Sequence, residues 1–136
     1  MVNNNYLNKR KIGDDAEFMC IKFLKDNNIK IKAKNYRCKI GEIDIIGFGD
    51  TGFMAEDGYL IFFEVKFRNN NKSGYAESAV DFNKQKIISK VSDYYRMENN
   101  IHEGVPVRFD VLAINDTDVK WYKNAFEYYA GRAKKY

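Results

Sequence analysis

The sequence predicts a mixed α/β domain in which one helix precedes three strands and a second helix precedes a fourth strand. Residues 13–27 and 78–97 place apolar side chains three and four positions apart, the spacing of helices that bury one face. Residues 41–48, 59–67 and 105–114 are short runs rich in β-branched and aromatic residues, which is typical of strands. The 136 residues suffice for one hydrophobic core. The expected class is therefore α/β with the order α-β-β-β-α-β, a central sheet and a short C-terminal addition.

The first helix is expected to begin near Gly13 and to end near Asn27. Two aspartates directly after Gly13 suit the positive end of the helix dipole. Residues 1–11 carry basic side chains without an apolar pattern and are expected to form a flexible arm, so the folded domain is predicted to span residues 12–136. A first strand over residues 29–37 follows, in which apolar and basic residues alternate and one face is therefore cationic.

The third predicted strand, residues 59–67, contains two charged residues that burial would penalise. Seven of its nine residues are apolar, which indicates a strand enclosed by the core. Side chains alternate across a strand, so Glu64 and Lys66 are expected to share one face. Either this end of the strand is exposed, or the two charges have a function there.

The second predicted strand supplies a carboxylate that could meet these charges. Alternation places Asp44 on one face and both Ile43 and Ile45 on the other. If the second and third strands pair as an antiparallel hairpin, Asp44 and Glu64 lie side by side. Two close carboxylates repel each other unless a proton or a cation lies between them, and oxygen ligands of this kind suit Mg²⁺ or Mn²⁺. An ordinary cross-strand ion pair with Lys66 is the alternative that the same spacing allows.

Two helical residues border this predicted site. Glu17 lies at the edge of the apolar face of the first helix, where it could be a third ligand or hold a water. Its alternative is a helix charge that faces solvent. Lys84 borders the apolar face of the second helix, and its alternative is a lysine whose stem packs while the ammonium group reaches solvent.

The C-terminal part of the chain is expected to complete the sheet. The fourth strand, residues 105–114, carries Pro106 near its start, where a strand tolerates proline. Arg108 and Asp110 share a face of this strand and are predicted to form a structural pair. Residues 119–136 are expected to add a short fifth strand, a helical turn and a basic tail.

The distribution of charge and cysteine bears on partners and location. Residues 1–40 carry ten Lys/Arg and four Asp/Glu, a net +6, whereas the remainder carries thirteen and fifteen, a net −2. A basic first third fits a polyanion such as nucleic acid, or else a solvated lysine-rich surface. With two cysteines, no apolar run long enough to cross a bilayer and no signal peptide, the chain is predicted to be cytoplasmic and not membrane-bound.

Five segments resemble, in order along the chain, the conserved blocks of the YraN-like family. They read GDDAEFMCIKFL, GEIDIIG, FFEVKFR, AVDFNKQKI, and VRFDVLAI with VKWYKNAF, and they cover roughly residues 12–127. Members of this family are bacterial proteins assigned to the endonucleases of the PD-(D/E)XK, or restriction-endonuclease-like, superfamily. The resemblance implies that fold, in which a central mixed sheet is flanked by helices.

The resemblance also implies a role for each matching residue. Asp44 and Glu64 match the two acidic positions of the motif and would bind Mg²⁺ or Mn²⁺, with the Val65 carbonyl as a third protein oxygen. Lys66 matches the motif lysine and would orient the attacking water. Glu17 matches an acidic residue of the first helix that supports the site. Three further residues match positions near the phosphate backbone of nucleic acid: Arg68, Lys84 and Gln85.

The chain departs from the family pattern at three positions. Ile43 precedes Asp44 where the superfamily motif has proline. Ala16 and Cys20 replace the residues that the family prefers in the first helix, and both are small enough for close packing against a sheet. None of these departures touches a proposed catalytic group.

The leading hypothesis is a metal-dependent endonuclease that hydrolyses phosphodiester bonds in nucleic acid, with DNA as the expected substrate. A resolvase-like action would require two sites and hence a homodimer. The alternative is a nucleic-acid-binding or protein-interaction module that keeps the nuclease fold with little or no catalysis. A histidine or cysteine centre is not indicated, because His102 lies in a polar turn and Cys20 on an apolar helix face.

Overall fold

The computed structural model describes residues 4–52, 54–68, 80–115 and 118–130, with side chains described from residue 13 onward. This part of the chain forms two helices and five strands. In chain order they are α1 (Asn4–Asp26), β1 (Lys30–Arg37), β2 (Glu42–Gly49), β3 (Tyr59–Phe67), α2 (Phe82–Glu98), β4 (Val107–Ile114) and β5 (Val119–Phe126).

The five strands form one mixed sheet in the order β1-β2-β3-β4-β5. Neighbouring strands run antiparallel except β3 and β4, which pair in parallel from Leu60↔Val107 to Phe67↔Ile114. Parallel neighbours require a crossover connection, and α2 lies in the segment that makes it. The expected antiparallel hairpin of the second and third strands is present as β2 and β3.

Within the described residues, each face of the sheet is covered by one helix, so the core there has two layers. On one face Ala16, Cys20 and Leu24 of α1 pack with side chains of the sheet that include Ile61 and Phe63. On the other face α2 packs against apolar side chains of β3 and β4, among them Leu60, Phe62, Phe109 and Val111. Burial on both faces explains why β3 is almost continuously apolar in sequence, and it confirms the alternation predicted for that strand.

Helix α1 begins at Asn4, nine residues before the expected start at Gly13. The segment predicted to be a flexible arm therefore has a helical backbone from residue 4 onward. No proline interrupts this stretch, and adding residues to an existing helix gains one hydrogen bond for each residue fixed. Of the described helices, neither combines the length and the apolar composition needed to span a bilayer.

Helix α2 begins at Phe82 rather than Ser78, because Asp81 caps it. The Asp81 side chain accepts a hydrogen bond from the backbone N–H of Lys84 at 2.8 Å, which satisfies one of the free donors of the first turn. Residues 78 and 79 of the predicted helix lie outside the described residues.

The predicted pair of Arg108 and Asp110 is present and forms the centre of a buried network. Arg108 donates to Asp110 through Nε and Nη2 at 2.9 and 2.7 Å, and to Asp50 through Nη1 at 2.7 Å. Asp110 also accepts from Trp121 Nε1 at 2.7 Å. The network ties β4 to β5, which confirms the fifth strand. Residues 127–130 form no helical turn, and the expected basic tail lies outside the described residues.

Candidate active site

The two predicted carboxylates lie where the β2–β3 hairpin opens. The ladder between these strands reaches Ile45↔Phe63, which makes Asp44 and Glu64 the next residues in register. In place of a further backbone pair, Oδ2 of Asp44 accepts a hydrogen bond from the backbone N–H of Val65 at 2.8 Å. The Asp44 side chain thus occupies the gap between the two strands and is held there by β3.

The prediction that Ile43 and Ile45 share a face of the sheet is wrong. Ile43 belongs to the core beneath α2, whereas Ile45 belongs to the core beneath α1. The cause lies in β1, where Asn35 falls opposite Asp44 and has a φ of 49°. This left-handed backbone breaks the regular alternation of both paired strands, and asparagine adopts it more readily than most residues. Asp44 therefore stands at a kink rather than on a flat face.

Burial and a neighbouring negative charge both act on Asp44. Loss of solvent is the larger effect and the Glu64 carboxylate the next, and together they raise the pKa of Asp44 from 3.8 to about 6. The Val65 N–H and the Lys84 ammonium group oppose this rise without cancelling it. The two carboxylates are thus close enough to repel each other, as the sequence predicted.

Glu64 is almost fully enclosed, with 4% of its surface exposed, and two lysines balance its charge. Nζ of Lys84 lies 3.0 Å from Oε1 of Glu64, and Nζ of Lys66 lies 3.7 Å from the same oxygen. Burial lowers the pKa of Lys84, but the bond to Glu64 outweighs it, so the net pKa is raised. Lys84 was predicted to lie near phosphate. In the structure its ammonium group forms an ion pair with Glu64.

Glu17 shares a pocket with Asp44 on the side of the sheet that α1 covers. The pocket has a volume of about 170 Å³, and Val65 and Phe67 also line it. The Glu17 carboxylate accepts a weak contact from Asn35 Nδ2 at 3.5 Å and lies 3.5 Å from Nζ of Lys34. Its predicted position next to the site is therefore supported, although α1 and α2 place Glu17 and Lys84 on opposite faces of the sheet.

The other two predicted phosphate-contacting residues make internal contacts. Nε2 of Gln85 donates to the carbonyl of Val80 at 2.9 Å, close to the start of α2. Nη1 of Arg68 donates to the hydroxyl of Tyr122 at 2.9 Å, which joins the end of β3 to β5. The structure thus gives each of these two side chains a structural partner.

Asn35 is the residue of this site that the sequence analysis missed. It lines the pocket of Asp44 and Glu17, contacts Glu17, and sets the kink opposite Asp44. Its signal in the sequence is an asparagine that interrupts the alternating pattern of KIKAKNYR. Asparagine in the middle of a strand indicates a local backbone irregularity, since it is depleted from regular strands.

The donor set at this site is two carboxylates in the gap between β2 and β3. Among the described residues, no three side chains of the types His, Cys, Asp and Glu converge as they would in a metal site made by side chains alone. A pair of mutually repelling carboxylates does fit a hard divalent cation such as Mg²⁺, which retains waters and needs only one or two of them.

Comparison with other proteins gives a consistent family. The family model described as "Uncharacterised protein family UPF0102" matches residues 16–114, a range that includes Asp44, Glu64 and the two lysines beside them, Lys66 and Lys84. A UPF0102 protein of Lachnoclostridium phytofermentans is 37% identical over 123 residues, which cover 90% of this chain and 98% of the relative. A UPF0102 protein of Clostridioides difficile is 43% identical over 108 residues, covering 79% of this chain and 88% of the relative. The chain belongs to the UPF0102 family.

Proposed function

We propose that this protein is a metal-dependent endonuclease of the restriction-endonuclease-like type that hydrolyses phosphodiester bonds in nucleic acid, with DNA as its substrate. One observation carries the proposal. Asp44 and Glu64, from neighbouring strands, lie where the strands separate and lysines are adjacent. Burial and, after it, the Glu64 carboxylate raise the pKa of Asp44 to about 6. Carboxylates and a lysine so arranged match the groups that phosphodiester hydrolysis requires.

Asp44 and Glu64 would hold the cation, Mg²⁺ or Mn²⁺, with the carbonyl of Val65 as a third protein oxygen. The donor set of hard oxygens fits these ions. When bound, the cation supplies a water of lowered pKa and polarises a phosphoryl oxygen. Binding favours the charged form of Asp44, which burial and the Glu64 carboxylate otherwise disfavour.

Two lysines and Glu17 would assist the hydrolysis beside the metal ligands. Lys66 lies 3.7 Å from Glu64, too long for a firm hydrogen bond, so its ammonium group is available to orient a water or to meet charge on phosphate. Lys84 holds the Glu64 carboxylate in place at 3.0 Å. Glu17, on the opposite side of Asp44, would accept hydrogen bonds from waters in the shared pocket.

The proposal is tested by incubating the protein with supercoiled, linear duplex, branched and single-stranded DNA in the presence of Mg²⁺ or Mn²⁺. The informative variants are Asp44→Asn, which can still accept the Val65 hydrogen bond, and Lys66→Ala. The matched controls are Asp57→Asn and Lys90→Ala, because both of these residues are exposed and lie outside the site. We expect cleavage by the wild type and the controls, and none by the two site variants. Cleavage by both site variants at the rate of the wild type would contradict this mechanism.

The second candidate function is a binding module without catalysis. The observation that favours it is the ion pair of Lys84 with the buried Glu64, which already neutralises one of the two carboxylates. Titration with Mn²⁺, followed by the change in thermal stability, separates the candidates. Nucleic-acid binding without any response to Mn²⁺ would favour the module, since the nuclease must bind the cation at this pair.

A further inference from the structure

Two large aromatic side chains are exposed beside the candidate active site. Phe67, the last residue of β3, is 61% exposed, and Phe18 on α1 is 70% exposed. Exposed phenylalanine is unfavourable in water, because its ring carries no polar group that gains from hydration. Elsewhere Phe82 is 55% exposed, but it packs edge to face on Tyr129, with ring centroids 4.9 Å apart.

The two rings lie on either side of Glu17. Phe67 lines the pocket that contains Asp44 and Glu17. Phe18 lines a second pocket of about 260 Å³, whose wall also includes Glu17 and Lys34. A ligand that spans from one pocket to the other therefore meets an aromatic ring, the acidic residues of the candidate site and then a second ring.

Cationic side chains lie on the edge strand β1, where Lys34 lines the same pocket as Phe18. Lys30, Lys32 and Lys34 are all exposed and follow one another at every second position of β1. Lys66 precedes Phe67 at the end of β3 and is only partly buried, with its ammonium group on the Glu64 side of the strand. Cations together with exposed aromatic rings are the features with which proteins bind single-stranded nucleic acid: the cations follow the backbone and the rings stack on bases.

We propose that Phe67 and Phe18 are stacking surfaces for unpaired bases, so that the protein acts on single-stranded nucleic acid or on a duplex with unpaired bases next to the bond to be cut. A phenylalanine ring has no donor or acceptor with which to read a base edge, and it offers only its face. In a continuous duplex the base faces are already stacked, and what approaches the protein is the phosphate backbone. Only unpaired bases have free faces to cover these rings. The cleavage of such a substrate rests on the proposed endonuclease function, whereas the stacking of unpaired bases on the two rings does not.

The test measures affinity by fluorescence anisotropy in metal-free buffer, with labelled single-stranded DNA, a duplex of the same sequence, and a duplex with an internal unpaired loop. Phe67→Leu and Phe18→Leu keep an apolar side chain but remove the ring, whereas Phe67→Trp keeps a ring. Phe82→Leu is the matched control, since its ring packs on Tyr129. We expect each leucine variant at the two site positions to lose about 5- to 150-fold in affinity for single-stranded and looped DNA, the range of one stacked base. Duplex affinity should not change, and the Phe67→Trp fluorescence should be quenched by single-stranded DNA.

The outcomes separate this inference from the proposed function. If Phe67→Leu and Phe18→Leu bind single-stranded DNA as the wild type does, stacking is excluded, even where Asp44-dependent cleavage is observed. A wild type that prefers continuous duplex, or that binds no nucleic acid because the rings contact a protein partner, also overturns it. If stacking is observed but no substrate is cut, the endonuclease proposal fails and the binding site stands.

Discussion

Oδ2 of Asp44 accepts the backbone N–H of Val65 at 2.8 Å, and this bond takes the place of the next pair in the β2–β3 ladder. A carboxylate that caps a strand opening in this way is held by the backbone rather than by a flexible side chain. It is also deprived of solvent and set beside Glu64. The hydrogen bond from Val65 thus fixes the position of the Asp44 carboxylate, while burial and the neighbouring Glu64 raise the pKa of that carboxylate.

Asp44→Asn should stabilise the metal-free protein above pH 6. The folded pKa of Asp44, about 6, exceeds its unfolded value of 3.8. Between these values the folded state keeps a proton that the unfolded state has lost, so the free energy of unfolding falls as pH rises. Asparagine has no charge to bury, and we expect a gain on the order of 3 kcal/mol above pH 6 and none below pH 3.8. Urea denaturation across this range, with a chelator present, measures it.

Asp50→Asn is the control with the opposite sign. Burial opposes ionisation of Asp50, but hydrogen bonds from Arg108 and Lys123 outweigh it and hold its pKa below the usual value. The charged form is thus the stabilising one, and its contribution is lost as pH falls through the folded pKa. The variant should be less stable than the wild type at neutral pH and should approach it in acid. A gain in stability for both variants at neutral pH would contradict this account.

Lys84→Met should destabilise the protein because it leaves Glu64 buried with only the more distant Lys66. Removing one partner of a buried pair is costly, and the partial exposure of Lys84 reduces the effect, so we expect a loss of about 1–3 kcal/mol. The double variant Glu64→Gln/Lys84→Met should recover most of this loss, since no uncompensated charge remains. Chemical denaturation of the single and double variants tests the coupling, with Lys90→Met on the exposed side of α2 as the control.

Asn35 should tolerate glycine but not a β-branched residue. Its φ of 49° lies in the left-handed region, which glycine adopts without strain and valine does not. We expect Asn35→Val to lose about 1–3 kcal/mol of unfolding free energy and Asn35→Gly to lose less. Thermal denaturation measures both, and valine at the neighbouring Lys34 is the control for an exposed strand position. Equal losses for glycine and valine at Asn35 would show that backbone strain is not the cause.

Removal of divalent cation should lower the stability of the wild type but not of Asp44→Asn. If the carboxylate pair binds the ion, a concentration of 100 times the dissociation constant stabilises the folded state by about 2.7 kcal/mol. This gain should shrink as pH falls through about 6, because protonated Asp44 is no longer a ligand. Melting temperatures with Mg²⁺, Mn²⁺ or chelator give the comparison. An equal response in Asp44→Asn would locate the ion elsewhere.

Apolar periodicity predicted the order of the strands and of the two described helices, but not where either helix begins, since burial imposes the same spacing wherever an element packs regularly. β3 shows this most clearly: its limits are those predicted, and its alternation holds from Leu60 to Phe63. The closeness of Asp44 and Glu64 was also predictable, because the register of an antiparallel hairpin places these two positions opposite each other. These are consequences of local pattern and short connections.

Tertiary structure decided the features that depend on contacts distant in sequence. Ile43 and Ile45 lie on opposite faces because Asn35, on the neighbouring strand, has a left-handed backbone that no alternation rule anticipates. Lys84 meets Glu64 only because α2 packs on that face of β3. The exposure of Phe67 beside Asp44 likewise depends on where α1 leaves the sheet uncovered. A sequence pattern indicates which residues are buried. The packing of the helices on the sheet determines which charged groups and aromatic rings meet where β2 and β3 separate.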